Sequence, residues 1–114
     1  MIVLYGIASC DTMKKARRWL GDHGVAYRFH DYRRDGLDEA RVRAWVAELG
    51  WEALINRRGT TWRTLPPAVR DGIDQESAIR IMLEHPTAIR RPLLDTGTAR
   101  LLGFSDSTYA QLLG

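Results

Sequence analysis

The stretch Ile2-Val3-Leu4-Tyr5-Gly6-Ile7-Ala8-Ser9-Cys10-Asp11-Thr12-Met13-Lys14-Lys15-Ala16 holds a strand, a tight loop and a helix start in succession. Ile2 to Ile7 is mostly apolar and rich in β-branched or aromatic residues, the composition of a short buried strand. From Asp11 to His23, Met13, Ala16 and Leu20 recur on one helical face, and Gly24 supplies the stop. The chain's one cysteine, Cys10, stands where the loop enters the helix. A helix start presents backbone N–H groups without intrahelical partners and the positive end of the dipole; both favour thiolate over thiol. The dipole is worth only ~0.3–1 kcal/mol, less than one pKa unit, against an ordinary thiol near ~8.5. A thiol ionised at neutral pH therefore also needs direct N–H donors and a nearby cation. Lys14 and Arg91 are the candidates for that cation, and Asp11 opposes it if its carboxylate turns toward the sulfur. A free cysteine often serves as a small buried hydrophobe. The polar neighbours Ser9, Asp11 and Thr12 point instead to an exposed, reactive thiol.

Working outward, Val25 to Tyr32 alternates Val25, Tyr27 and Phe29 with polar residues, which predicts a second strand. Leu37 to Leu49 is the clearest helix, with Val42, Trp45, Val46 and Leu49 on one face and Gly50 as the stop. Trp51 to Ile55 adds a short helical turn. Arg57 to Thr61 reads as loop, and Trp62 and Leu65 as cover for the core before the Pro66-Pro67 break. Asp74 caps a helix carrying Ala78, Ile79, Met82 and Leu83 that ends at Pro86. Pro92-Leu93-Leu94 and Ala99 to Phe104 read as strands around an Asp95-Thr96-Gly97-Thr98 turn, and Ser105 or Asp106 caps a last helix through Leu113.

The 114 residues predict a single α/β domain, large enough to bury roughly two-thirds of its surface without staples. Hydrophobic content of 45% and charged content of 27% are those of a soluble globular protein. No basic leader with an apolar stretch precedes Ile2 and no apolar run nears membrane-spanning length, so the expected location is the cytoplasm, with no membrane partner. The net charge of +3 is largely arginine, in the separated pairs Arg17-Arg18, Arg33-Arg34, Arg57-Arg58 and Arg90-Arg91. That dispersal argues against a nucleic-acid tail and suits a small anionic ligand. His23, His30 and His85 share no metal-like spacing, so no metal site is expected. With one cysteine, any oxidised Cys10 must be a mixed disulfide, a dimer or a sulfenic acid.

Cys-Asp-Thr-Met-Lys-Lys-Ala after a Leu-Tyr-Gly strand resembles the ArsC/Spx/YffB group, the arsenate-reductase-like thioredoxin-fold proteins, and most of all its YffB branch. Further matches are Leu54-Ile55-Asn56-Arg57-Arg58-Gly59-Thr60-Thr61-Trp62-Arg63, Met82-Leu83-Glu84-His85-Pro86 and Arg91-Pro92-Leu93-Leu94, in the right order over essentially the whole chain. The resemblance implies a four-stranded mixed sheet with flanking helices and a helical insertion over about residues 37–86. It implies that Cys10 is the catalytic cysteine and that Arg91 stabilises the thiolate or binds an oxyanion. It also implies that Pro92 is the proline, often cis, that shapes the substrate groove, and that a second anion-binding arginine is Arg57 or Arg58, with Arg57 favoured. Ser9, Asp11 and Thr12 complete the expected substrate-binding set.

Two positions depart from the arsenate reductases, which carry a histidine where this chain has Gly6 and a third arginine where it has Gly103. A charge-assisted contact is worth ~1.5–3 kcal/mol, so its loss weighs against arsenate reduction. Met13 stands where a C-x-x-C motif has its second cysteine, which removes both the thioredoxin cycle and the switch typical of Spx-like regulators. The first expectation is a thiol-dependent reductase acting on a disulfide or electrophilic substrate. Its co-substrate is glutathione or another small thiol, with no tightly bound cofactor. The alternatives are a Spx-like regulator that binds RNA polymerase, and an arsenate reductase.

Overall fold

Strand β1 (Ile2–Gly6) runs inside a four-stranded sheet in the computed structural model, which describes residues 1–114. In chain order there follow α1 (Asp11–Asp22), β2 (Tyr27–Asp31), α2 (Tyr32–Asp35), α3 (Glu39–Leu49), α4 (Trp51–Leu54), α5 (Thr60–Thr64), α6 (Pro67–Asp71) and α7 (Gln75–Glu84). A 3-10 turn (Pro86–Ala88), β3 (Leu93–Asp95), β4 (Arg100–Leu102) and α8 (Asp106–Leu113) complete the chain. The sheet order is β2-β1-β3-β4, with β1 and β2 parallel and the other two pairings antiparallel. This is the mixed sheet with flanking helices expected of a thioredoxin-like fold.

The chain divides into a sheet unit, Met1–Asp35 with Arg91–Gly114, and a helical unit, Gly36–Arg90. In the sheet unit the register sets Leu4 opposite Phe29 and Leu94, and these side chains share the face covered by Met13, Ala16 and Leu20 of α1 and Tyr109 of α8. Side chains alternate across a strand, so Tyr5, opposite His30 and Leu93, lies on the other face. Helix α8 is started by Ser105, whose Oγ accepts from the Thr108 N–H at 3.1 Å. Tyr109 is fully buried, edge-on to Trp19 and Phe104 at 5.5 and 4.7 Å between ring centroids.

In the helical unit, α3 buries Val42, Trp45 and Val46, and α7 buries Ala78, Ile79, Ile81 and Met82. Gly50 closes α3 at φ +86°, a left-handed conformation that suits glycine. Asp74 opens α7 with a reciprocal capping box to Ser77. Arg43 reaches from α3 to both carboxylate oxygens of Glu76 at 3.0 Å. These groups are solvent-exposed, so the pair orients more than it stabilises. Arg90 and Asn56 tie the segment after α4 to the end of the unit, donating their backbone N–H groups to Leu54 O at 2.7 Å and Ala88 O at 2.8 Å.

Three short helices differ from the sequence reading. Tyr32, expected as the end of the second strand, instead starts α2, because the Asp31 carboxylate accepts from the Arg33 N–H at 2.8 Å and turns the chain. Thr60 and Thr61, read as loop, begin α5. Pro67, read as part of a break, begins α6, where a first-turn proline loses no hydrogen bond.

Candidate active site

Beyond β1 the loop Ile7–Ser9 turns back through a Cys10 N–H bond to Ile7 O at 3.3 Å. Cys10 is the N-cap of α1, with extended backbone (φ −85°, ψ 131°), and its carbonyl accepts the first helical bond from Lys14 N–H at 3.1 Å. Its side chain thus occupies the place where serine or aspartate ordinarily accepts from the helix's free N–H groups. The sulfur is half-buried. Burial alone would raise the thiol's pKa. The Met13 N–H, the Arg91 side chain, the Thr12 N–H and the Arg91 charge act the other way, and together they hold the thiol below its ordinary value.

Of the two candidate cations, the one at the sulfur is therefore Arg91, from the opposite end of the chain. The Arg91–Pro92 bond is cis, and Pro92 is buried with its carbonyl accepting from Gly103 N–H at 2.8 Å. Thr12 contributes its backbone N–H, while Ser9 and Asp11 flank the cysteine on the exposed side. Arg57 and Arg58 belong to the helical unit. Both are exposed; the Arg57 guanidinium lies over Trp62 at 5.4 Å and Trp51 at 5.9 Å, and Arg58 donates its backbone N–H to Asn56 Oδ1 at 3.1 Å. No group of three or more His, Cys, Asp or Glu side chains converges on a metal-sized site.

Two contributors escaped the sequence reading. Asp31 accepts from the Ala8 N–H at 3.4 Å through Oδ2, joining the thiol loop to the end of β2. The Asp-x-Arg step after an alternating strand is the signal that marks such a turn. Met13 supplies one of the two N–H groups at the sulfur, and its side chain, fully buried, packs directly on Gly6. A Cβ at Gly6 would meet the Met13 thioether sulfur and approach its Cε to 2.7 Å. Gly103, by contrast, has open space where a Cβ would stand, but its φ of +80° disfavours any side chain.

With the strand, loop, cysteine and cis-proline arrangement in place, the family profile that matches residues 5–112 is that of ArsC. The chain belongs to the ArsC family. An uncharacterized protein of Haemophilus influenzae is 42% identical over 109 residues, 96% of each chain. The global transcriptional regulator Spx of Streptococcus agalactiae is 29% identical over 99% of this chain and 83% of its own. Among solved structures, a YffB protein is 49% identical over the whole of both chains with a TM-score of 0.95. An arsenate reductase (ArsC) related protein from Brucella melitensis is 44% identical over 98% and 93% of the two chains, with a TM-score of 0.81. In this ArsC-family chain the two glycines differ in setting: the space above Gly6 is filled by Met13, whereas Gly103 has open space and a left-handed backbone.

Proposed function

We propose that this chain is a single-cysteine thiol oxidoreductase that works with glutathione in the cytoplasm. The observation that carries the reading is the half-buried Cys10 sulfur, set against two helix N–H groups and the Arg91 guanidinium, which together lower its pKa. In the proposed reaction the Cys10 thiolate attacks the glutathione sulfur of a substrate–glutathione mixed disulfide. The Cys10–glutathione bond forms as the substrate bond breaks, and the substrate leaves as a thiolate with the electron pair. A second glutathione thiolate then attacks the Cys10-linked glutathione, producing oxidised glutathione and regenerating the Cys10 thiolate. Met13 leaves the chain without an internal resolving sulfur, so an external thiol is required. Arg91 stabilises the thiolate before attack and again as Cys10 leaves.

The test combines two measurements. Thiol-exchange turnover with glutathione is expected to vanish in Cys10→Ser, and the pH midpoint of Cys10 alkylation to lie below that of a free cysteine and rise in Arg91→Gln. A midpoint at the ordinary value, unmoved by Arg91→Gln, would overturn the reading. The resemblance gives a second anion-holding role to Arg57 or Arg58, and the stacked, pre-organised Arg57 fits it better. Arg57→Ala is expected to raise KM for glutathione, with Arg58→Ala leaving it near the parent value.

The similarity to Spx over nearly the entire chain favours a second reading, a regulator that binds RNA polymerase. Retention of RNA polymerase by the immobilised chain, undiminished in Cys10→Ser and without glutathione turnover, would establish that reading instead. Arsenate-dependent oxidation of a thiol would favour the third, arsenate reduction, which Gly6 and Gly103 weigh against.

A further inference from the structure

The thiol end of the sheet unit carries a buried phenol that the proposed reaction does not use. Tyr5 of β1 stands opposite His30 of β2 and Leu93 of β3 in the register, so these three side chains share one face. Tyr32 follows His30 by two residues and Arg91 precedes Leu93 by two, which brings both to the end of that sheet where β1 enters the Cys10 loop. The Tyr32 ring is 3% exposed, lies nearly parallel to Tyr5 at 6.4 Å, and meets His30 at 6.1 Å and 63°. Tyr5 and His30 are themselves 4.9 Å apart. Two aromatic rings, Tyr5 and His30, thus hold the Tyr32 phenol in one orientation. The Tyr32 hydroxyl oxygen and the Arg91 Nε are both sealed from solvent.

We propose that Tyr32 is a positioning residue for Arg91, whose buried neutral hydroxyl, fixed in place by the neighbouring rings, keeps the guanidinium turned toward the Cys10 sulfur. The inference rests on the reading of Cys10 and Arg91 given above and adds a residue that touches neither substrate nor sulfur. An arginine side chain has several rotatable bonds and loses its value as a fixed charge if it swings into solvent. Burial holds the Tyr32 phenol well above the ordinary tyrosine pKa; Tyr5 adds to this, and the Arg91 charge pulls the other way without prevailing. The phenol therefore stays neutral where a phenolate would compete with the thiolate for Arg91. The other titratable and charged groups at this end are Tyr5, His30, Asp31, Arg33, Arg34 and Asp35. Asp31 is engaged with the Ala8 and Arg33 N–H groups, and Asp35 with the Arg34 guanidinium and the Asp31 N–H.

The test is the pH profile of Cys10 alkylation in the full chain, with Tyr32→Phe keeping the ring and deleting only the hydroxyl. The expected result is an upward shift of the midpoint by about half a unit, roughly threefold less thiolate below it, with the limiting rate at high pH unchanged. In an Arg91→Gln background, Tyr32→Phe is expected to shift nothing further. A midpoint that moves with Arg91→Gln but not with Tyr32→Phe overturns the inference and leaves the site reading standing. A Tyr32→Phe shift that persists at full size without Arg91 overturns it too, since the phenol would then act on the sulfur by another route. A midpoint of ordinary value that ignores Arg91→Gln overturns the site reading and this inference with it. Tyr32→Leu, which removes the ring stack as well, is expected to shift the midpoint at least as far as Tyr32→Phe.

Discussion

At the residue scale, Met13 joins two features that look unrelated in the sequence. It occupies the place of a second cysteine, and its thioether fills the space above Gly6 where the arsenate reductases carry a histidine. Gly6→His is expected to cost about 1–3 kcal/mol by overpacking, and Met13→Ala about 2–5 kcal/mol by leaving a cavity. Combined, they are expected to cost clearly less than the two together, because each relieves the other; urea unfolding of the four proteins measures that coupling. Tyr109 gives the opposite case. Its hydroxyl is buried with no hydrogen-bond partner while its ring packs edge-on against Trp19 and Phe104. Tyr109→Phe keeps those contacts and is expected to raise stability in the same assay, by up to about 1–3 kcal/mol. The place of Cys10 at the start of α1 was legible from its loop-to-helix position, and the place of Arg91 beside it from the family likeness. Tyr32 was not, because an aspartate after an alternating strand marks a turn without telling which side chain the turn will bury.

At the element scale, the long helices were readable because their burial follows a helical period and their ends carry chemistry. Met13, Ala16 and Leu20 mark α1, Asp74 opens α7, and Gly50 closes α3. Ser105→Ala is expected to cost about 1 kcal/mol by freeing the Thr108 N–H at the start of α8, measured by urea unfolding. The short helices α2, α5 and α6 escaped, since four or five residues contain too little periodicity to separate a turn of helix from a loop. Gly59-Thr60-Thr61 and Pro66-Pro67 carry loop-like composition, so local propensity pointed away from helix, and only the folded backbone settles the matter. Gly103→Ala is expected to cost about 1 kcal/mol through its left-handed backbone alone, since a Cβ there meets no neighbour.

At the scale of the whole molecule, the lowered Cys10 pKa couples to folding. The folded thiol binds its proton less tightly than the unfolded one, so the resulting stability is fully present above the unfolded pKa. It is lost as pH falls through the folded value. Unfolding free energy is therefore expected to rise in this window relative to Cys10→Ser, and the difference between the two curves isolates the thiol from other titrating groups. No helix is long and apolar enough to cross a membrane. The sheet unit is built from both ends of the chain, with the helical unit between them in sequence. During synthesis the cysteine leaves the ribosome early, while the arginine that helps lower its pKa is translated only toward the end. Until then a nascent chain exposes a thiol of ordinary reactivity, so its vulnerability to stray oxidants is deferred until the last strands emerge.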